Sequence, residues 1–492
     1  MRFDSRILAI AVCLLTVSAC QQDSRETQGP NAPPYAVGST TFFMHDESRG
    51  YDSVAGIDDG IRTLITEIWY PVEHDSVMSD AYQKATYGDY VFGDAMMHRR
   101  MMTQTTFFHL TPETVRDGVT MEQIAAAIDE LFSRERDSYV NAPPASANEG
   151  WPVVVMSHGD AGSRYNMESA CEYLAAHGYF VIAPEHTGNS PYAMTGRDPA
   201  LVAGSGDPEL LETMSPVLQR LDEHGAYGSE ATYGQSYTPL SEGGDSAGFL
   251  QDLDRSLLQR LNDLRATLDE LERINHTGTF AGRLDLERIG LMGRSFGGAT
   301  TIMGLSMEPR FTAGFSVVPP AWADPRPSLP AGMLAPPGEE SVLLAAAGPF
   351  PLLTLSKPVV LLSGAEDGLI IGLGAQMGAT PTPDNPHPIL REAWESSAAP
   401  VVWGLLADSN HGSFGVSGPY WWPDLKPNTQ ARHFDSTREF DLVTPALAHQ
   451  MQKELALAFF DLTIREDGEA QTRLLDNRYA NQGLTLESRN FQ

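Results

Sequence analysis

Apolar positions along the chain alternate between short runs and long amphipathic stretches. Thr63 to Tyr70 (TLITEIWY) alternates at the two-residue period of a strand and stops at Pro71. Pro152 to Ser157 (PVVVMS) and Tyr179 to Ala183 (YFVIA) are apolar throughout, as expected of strands buried on both faces. Arg288–Met292, Ala313–Val318, Val359–Ser363 and Val401–Ala407 read the same way. Between them lie helical patterns. Cys171 to His177 ends at Gly178, a C-terminal stop. Phe249 to Ile274 carries Leu250, Leu253, Leu257, Leu258, Leu261, Leu264 and Leu268 at helical spacing, and 445–463 closes the series. Buried strands alternating with helices predict an α/β fold, with a mostly parallel central sheet and helices on both faces.

Three stretches break the rhythm. Residues 91–137 are Met- and aromatic-rich and helical, 188–248 are rich in Gly, Ser and acids, and 319–350 are Pro-rich and apolar. They read as lid-like insertions in a single domain over 36–492, at the sheet edge where such folds place their binding apparatus. Ahead of that domain, residues 20–35 are a polar, Pro- and Gly-containing tether.

The first 19 residues read as a signal peptide. Arg2 and Arg6 give a basic start, with Asp4 an unusual acid among them. Ile7 to Val17 is uncharged and mostly apolar, short of the roughly 20 residues that span a bilayer. Val17-Ser18-Ala19-Cys20 then resembles a bacterial lipobox, which implies an exported lipoprotein anchored by acyl groups on Cys20. The resemblance suggests the outer membrane, because Gln21 follows the cysteine. The plainer alternative is an ordinary signal cut after Ala19. Of three cysteines, Cys13 lies in the signal and Cys171 is left alone in an apolar helix, as a small buried hydrophobe.

The chain of 492 residues is 42% hydrophobic and 20% charged, enough to bury a core without disulfides or metal. Thirty-three basic against 64 acidic residues give a net charge of −31, which argues against nucleic acid as a partner.

The strongest motif is Gly293-Arg294-Ser295-Phe296-Gly297, a Gly-x-Ser-x-Gly set between a strand and a helix. Glycines two before and two after the serine allow the strained turn that exposes a nucleophile. A hydroxyl needs a base, and a histidine base needs an acid to orient it. Pro358 to Gly368 (PVVLLSGAEDG) is a strand ending in Gly-x-x-Asp, which puts Asp367 past its C-terminal end; Glu366 is the alternative acid. Val401 to Gly412 (VVWGLLADSNHG) ends likewise in His411, with Asp408 too close in sequence to reach around its ring. Ser295, Asp367 and His411 thus arrive in order at one edge of the sheet, the arrangement of the α/β-hydrolase fold. Backbone amides of Phe296 and Asp160 are the expected oxyanion donors, with the Asp160 side chain turned away, toward Arg164 or Arg294. His186 follows another strand and is a candidate for the site wall, with plain loop packing the favoured alternative.

Ser157–Arg164 (SHGDAGSR), Ala176–Gly188 (AHGYFVIAPEHTG) and Leu284–Gly298 (LDLERIGLMGRSFGG) together resemble the bacterial predicted dienelactone hydrolases. That family is similar to platelet-activating-factor acetylhydrolases and includes secreted polyester hydrolases. Its members commonly carry His where this chain has Arg294 and Leu where it has Asp160. The resemblance implies a serine carboxylic-ester hydrolase working through an acyl-enzyme without a cofactor. An inactive surface lipoprotein used as a binding module is the alternative. Met96, Met97, Met101, Met102, Phe107 and Phe108, the segment from Leu334 to Leu353, and Trp421 with Trp422 suggest a grip on apolar, lipid or polymeric esters. Arg294 is also placed at the substrate. No metal-ligating spacing is apparent; the acids of 205–245 read as solvated loop, with calcium the alternative.

Overall fold

The computed structural model describes residues 33–78, 81–91, 110–190, 198–224 and 246–491. The signal segment, Cys20, the Met and Phe cluster of 96–108 and most of the acidic stretch lie outside them.

Thirteen strands are described: β1 (Ala36–Asp46), β2 (Arg62–Val72), β3 (Lys84–Thr86), β4 (Glu135–Val140), β5 (Trp151–Ser157), β6 (Phe180–Pro184), β7 (Leu284–Arg294), β8 (Phe311–Val317), β9 (Val359–Gly364), β10 (Val401–Leu406), β11 (Thr429–Ala431), β12 (Glu439–Asp441) and β13 (Leu484–Arg489). β11 and β12 form a small hairpin of their own, and the other eleven make one sheet in the order β13-β10-β9-β8-β7-β5-β6-β2-β1-β4-β3. From β6 to β10 every neighbouring pair is parallel; β2 and β13 run antiparallel at either side of this block. This is the α/β-hydrolase fold.

Side-chain alternation explains why these strands read as unbroken apolar runs. Val154 and Met156 of β5 face one core with Met292, Phe315 and Val360, under the helices Glu168–Ala176 and Pro445–Thr463. Val153 and Val155 face the other, with Leu291, Phe311 and Leu361, under Ser246–His276, Phe296–Met307 and Pro388–Ser396. Each strand must therefore be apolar at odd and even positions alike. Cys171 sits fully buried in the first core, where burial pushes its thiol well above the usual range.

The insertions are partly built into this frame. Val342, Leu343, Leu344 and Phe350 pack on Leu253, Leu257 and Leu261 of the long helix, so 319–350 is a packed flank. Residues 121–133 form a helix as predicted, but 135–140 become β4, hydrogen-bonded in parallel to β1. Helix Pro208–His224 brings Met214 and Val217 against Tyr51 and Ile57.

After β5 the chain goes to β6 on one side, and after β6 it returns to β7 on the other. The C-terminal ends of β5 and β7 therefore flank the sheet's switch point, where such folds open a crevice. Ser157–His158 and Arg294–Ser295 stand at those two ends.

Candidate active site

β7 ends at Arg294 and helix Phe296–Met307 begins one residue later, so Ser295 makes the whole turn. Its backbone has φ 57° and ψ −124°, a strained conformation for a residue with a side chain. The turn exists only because the chains are close. A Cβ on Gly297 would collide with the carbonyls of Ser157 and His158, and one on Gly293 with the carbonyl of Gly297. Ser295 N–H donates to the Val317 carbonyl at 2.8 Å, which anchors the elbow to β8.

His411 opens a 3-10 turn just past β10. Its Nε2 lies 2.9 Å from Ser295 Oγ and its Nδ1 lies 2.7 Å from Asp367 Oδ2. A carboxylate only accepts, so Nδ1 carries the proton and Nε2 accepts from the serine hydroxyl. Asp367 caps helix Gly368–Gln376, its Oδ1 accepting from the Ile370 N–H at 3.1 Å. Burial drives the Asp367 carboxyl upward, but His411 and the Ile370 amide outweigh it and hold the acid below its usual range. His411 is lowered, chiefly by burial and further by Arg294, against the pull of Asp367. All three side chains are buried, Ser295 the most open at 6%.

The rival acids are spoken for. Glu366 pairs with Arg432 at 2.8 Å and accepts the His433 N–H, while Asp408 pairs with Arg432 from its other side. Arg294 is 3% exposed, and burial lowers its guanidinium to about 10. Its Nη2 donates to the His411 carbonyl, behind the base.

The loop after β5 comes up beside the serine: a Cβ on Gly159 would stand 3.2 Å from Ser295 Cβ. Asp160 follows it, and its Oδ1 accepts from Asn189 Nδ2 at 2.6 Å, a partner the sequence did not suggest. Phe296 is the first residue of its helix, where amides have no acceptor within the helix.

Three expectations need correction. Trp421 and Trp422 are 1% and 3% exposed and belong to the core. Ser417, Gly418 and Pro419 start a one-turn helix that drives both indoles inward. Trp421 meets Tyr87 edge-on at 5.7 Å, and Trp422 Nε1 donates to the Ala127 carbonyl at 3.1 Å. They pack against Tyr87 and the helix Met121–Ser133 and leave little surface to offer a substrate. His186 likewise turns inward. Its Nε2 is 3.0 Å from Ser157 Oγ and its Nδ1 is 2.9 Å from Asp263 Oδ2.

Ser157, His186 and Asp263 thus repeat the Ser-His-Asp geometry a second time. Chemistry separates the two sets. Ser157 is wholly buried in a regular strand, and Arg260 Nη1 donates to its Oγ. Asp263 is shared with Arg62 and Arg49, and burial with the Arg260 charge lowers His186 to about 4. That triplet is scaffolding. Arg260 and Asp263 were not among the sequence-based candidates, although they interrupt the apolar stripe between Leu257 and Leu264, a visible signal for buried polar work.

A cavity of about 490 Å³ opens beside His411, lined among others by Glu366, Leu369, Asn410, Pro419, Lys426 and His433. Burial lowers the Lys426 ammonium to about 8.

The family model for platelet-activating factor acetylhydrolase, isoform II, matches residues 104–212. The platelet-activating factor acetylhydrolase of Cavia porcellus is 26% identical over 186 residues, 36% of each chain. That of Canis lupus familiaris is 25% identical over 37% of each. The match thus spans little more than a third of those relatives. A ferulic acid esterase from Streptomyces cinnamoneus shares the fold, with a TM-score of 0.53 over 92% of this chain and 96% of its own at 19% identity. The chain has the α/β-hydrolase fold and, over little more than a third of its length, is similar to the platelet-activating factor acetylhydrolases.

Proposed function

We propose that the protein is a serine carboxylic-ester hydrolase with Ser295 as nucleophile, His411 as base and Asp367 as the orienting acid. The observation that carries this reading is the Asp367–His411–Ser295 chain of hydrogen bonds, 2.7 and 2.9 Å long, ending on a serine in a strained elbow. Ser295 Oγ attacks the ester carbonyl while His411 Nε2 takes its proton. The negative oxygen of the tetrahedral intermediate is held by the amides of Phe296 and Asp160. Its collapse expels the alcohol, protonated by His411, and leaves an acyl-serine. Water, deprotonated by His411, attacks that ester, and the acid leaves as the serine recovers its proton.

The similar proteins are platelet-activating factor acetylhydrolases, which supports a hydrolase reading here. We extend the proposal to apolar acyl or polymeric esters on the Met and Phe cluster of 96–108 alone, since the two tryptophans are committed to the core. The protein is proposed to be an exported lipoprotein held through Cys20. An intact hydrogen-bonded triad favours the catalyst over the inactive binding module.

Purified protein should hydrolyse p-nitrophenyl acetate, and Ser295→Ala should cost at least about 10³-fold in kcat. Turnover by that variant within tenfold of wild type sinks the assignment.

A further inference from the structure

We propose that Arg260 is a positioning residue that aims both oxyanion donors, an inference that rests on the ester-hydrolase reading above. Arg260 is 1% exposed, on the face of helix Ser246–His276 turned to the sheet. It touches neither Ser295 nor His411 through any described hydrogen bond. Its guanidinium spreads over the loop that follows β5. Nη1 donates to the His158 carbonyl at 2.8 Å and Nη2 to the Gly159 carbonyl at 3.2 Å.

Gly159 C=O and Asp160 N–H belong to one planar trans peptide, so they point in opposite directions. Holding that carbonyl toward the long helix turns the Asp160 amide the other way, where Gly159 abuts Ser295. The same carbonyl also accepts from the Gly162 N–H at 3.1 Å and lies 2.7 Å from His158 Nδ1, so the peptide is held from three sides.

The Asp160 side chain poses a separate problem, because a carboxylate near a developing oxyanion opposes it. Arg260 answers this through Asn189. Nε donates to Asn189 Oδ1 at 3.0 Å, and Asn189 Nδ2 donates to Asp160 Oδ1 at 2.6 Å. The carboxylate is thereby drawn aside while its backbone amide stays in place. The second donor is reached too: the guanidinium carbon lies 4.6 Å from the centre of the Phe296 ring, stacking on the residue whose amide heads the other helix. One rigid fork with five donors can hold two carbonyls, an amide oxygen and a ring face together; a lysine's point charge cannot.

The buried triplet beneath completes the account. Ser157 Oγ accepts from Arg260, and His186 and Asp263 hold Ser157 from below. Their Ser-His-Asp geometry supports the loop instead of reacting.

The test uses Arg260→Lys, Arg260→Gln and Asn189→Ala in the full chain, assayed on p-nitrophenyl acetate. Affinity for an aryl trifluoromethyl ketone is measured beside it, because that ketone becomes an oxyanion only when the serine adds to it. Losing an aimed donor should lower kcat by about 10- to 100-fold with KM within about threefold, and weaken the ketone in parallel. Lysine should retain more activity than glutamine. A merely structural arginine would lower the melting temperature without this split between kcat and KM. If the Arg260 variants do not fold, Asn189→Ala decides alone, since it removes the Asn189 bond to the Asp160 carboxylate and leaves the arginine in place. An active wild type whose folded variants keep kcat and ketone affinity within about twofold overturns this inference only. A wild type without esterase activity overturns the hydrolase reading and this inference with it.

Discussion

Arg294 Nη2 donates to the backbone carbonyl of His411, so the residue just before Ser295 grips its proposed base. The contact places a buried cation beside the proposed base and within electrostatic reach of Asp367. It holds the His411 turn to the end of β7, and its charge works against protonation of the imidazole.

The pH profile should record that charge. His411 must be neutral to accept the serine proton, and burial together with Arg294 holds it below 6.5. A lowered value extends activity toward acid, so the rising limb of kcat/KM should be centred below 6.5. Arg294→Gln should move that limb upward and reduce kcat. Rates followed from about pH 4.5 to 8 check this, and a limb that does not move in the variant contradicts the electrostatic role.

The choice of acid is open to a direct comparison. Asp367→Asn should lower kcat by about 10⁴-fold, because the histidine loses the partner that fixes its tautomer. Glu366→Gln should stay within about threefold, since it weakens only the pair with Arg432 and the bond from the His433 N–H. The reverse ranking would make Glu366 the acid.

The two tryptophans should behave as core. Trp421→Ala should destabilise the fold by about 3–5 kcal/mol in urea unfolding, and should affect short and long esters alike. A loss confined to long-chain esters, with unchanged stability, would return Trp421 to the substrate path.

The central strands and the positions of Ser295, Asp367 and His411 at their ends were legible because they depend on local pattern. Runs such as PVVVMS and PVVLLSG are apolar on both faces and end in glycine turns, and the catalytic candidates stand at those ends. The long helix and the elbow were read for the same reason. What stayed hidden depends on distant partners. β1, β4 and β13 lie outside the parallel block and tolerate polar residues, so ERDSYV and LTLESR carry little strand signal. Trp422 is buried through Ala127, 295 positions away, and nothing near it in sequence announces that contact. Asp160 found Asn189 across a helix and β6, and Ser157 found Arg260 across the whole 188–248 insertion.

The anchor is tested apart from the chemistry. Cells fed a clickable palmitate should label the wild-type chain, which should sediment with membranes. Cys20→Ala should lose the label and enter the soluble fraction, because a protein without acyl chains has nothing to hold it there. An unlabelled wild type would favour an ordinary signal cut after Ala19.

The central claim is that Ser295, and not the geometrically similar Ser157, is the nucleophile. A fluorophosphonate probe followed by peptide mapping reads this directly, since it phosphonylates a serine only where a neighbouring base activates it. We predict a single adduct per chain, on the peptide bearing Ser295, abolished by Ser295→Ala and by His411→Gln. An adduct on Ser157, or an unmodified wild-type protein, would contradict the account.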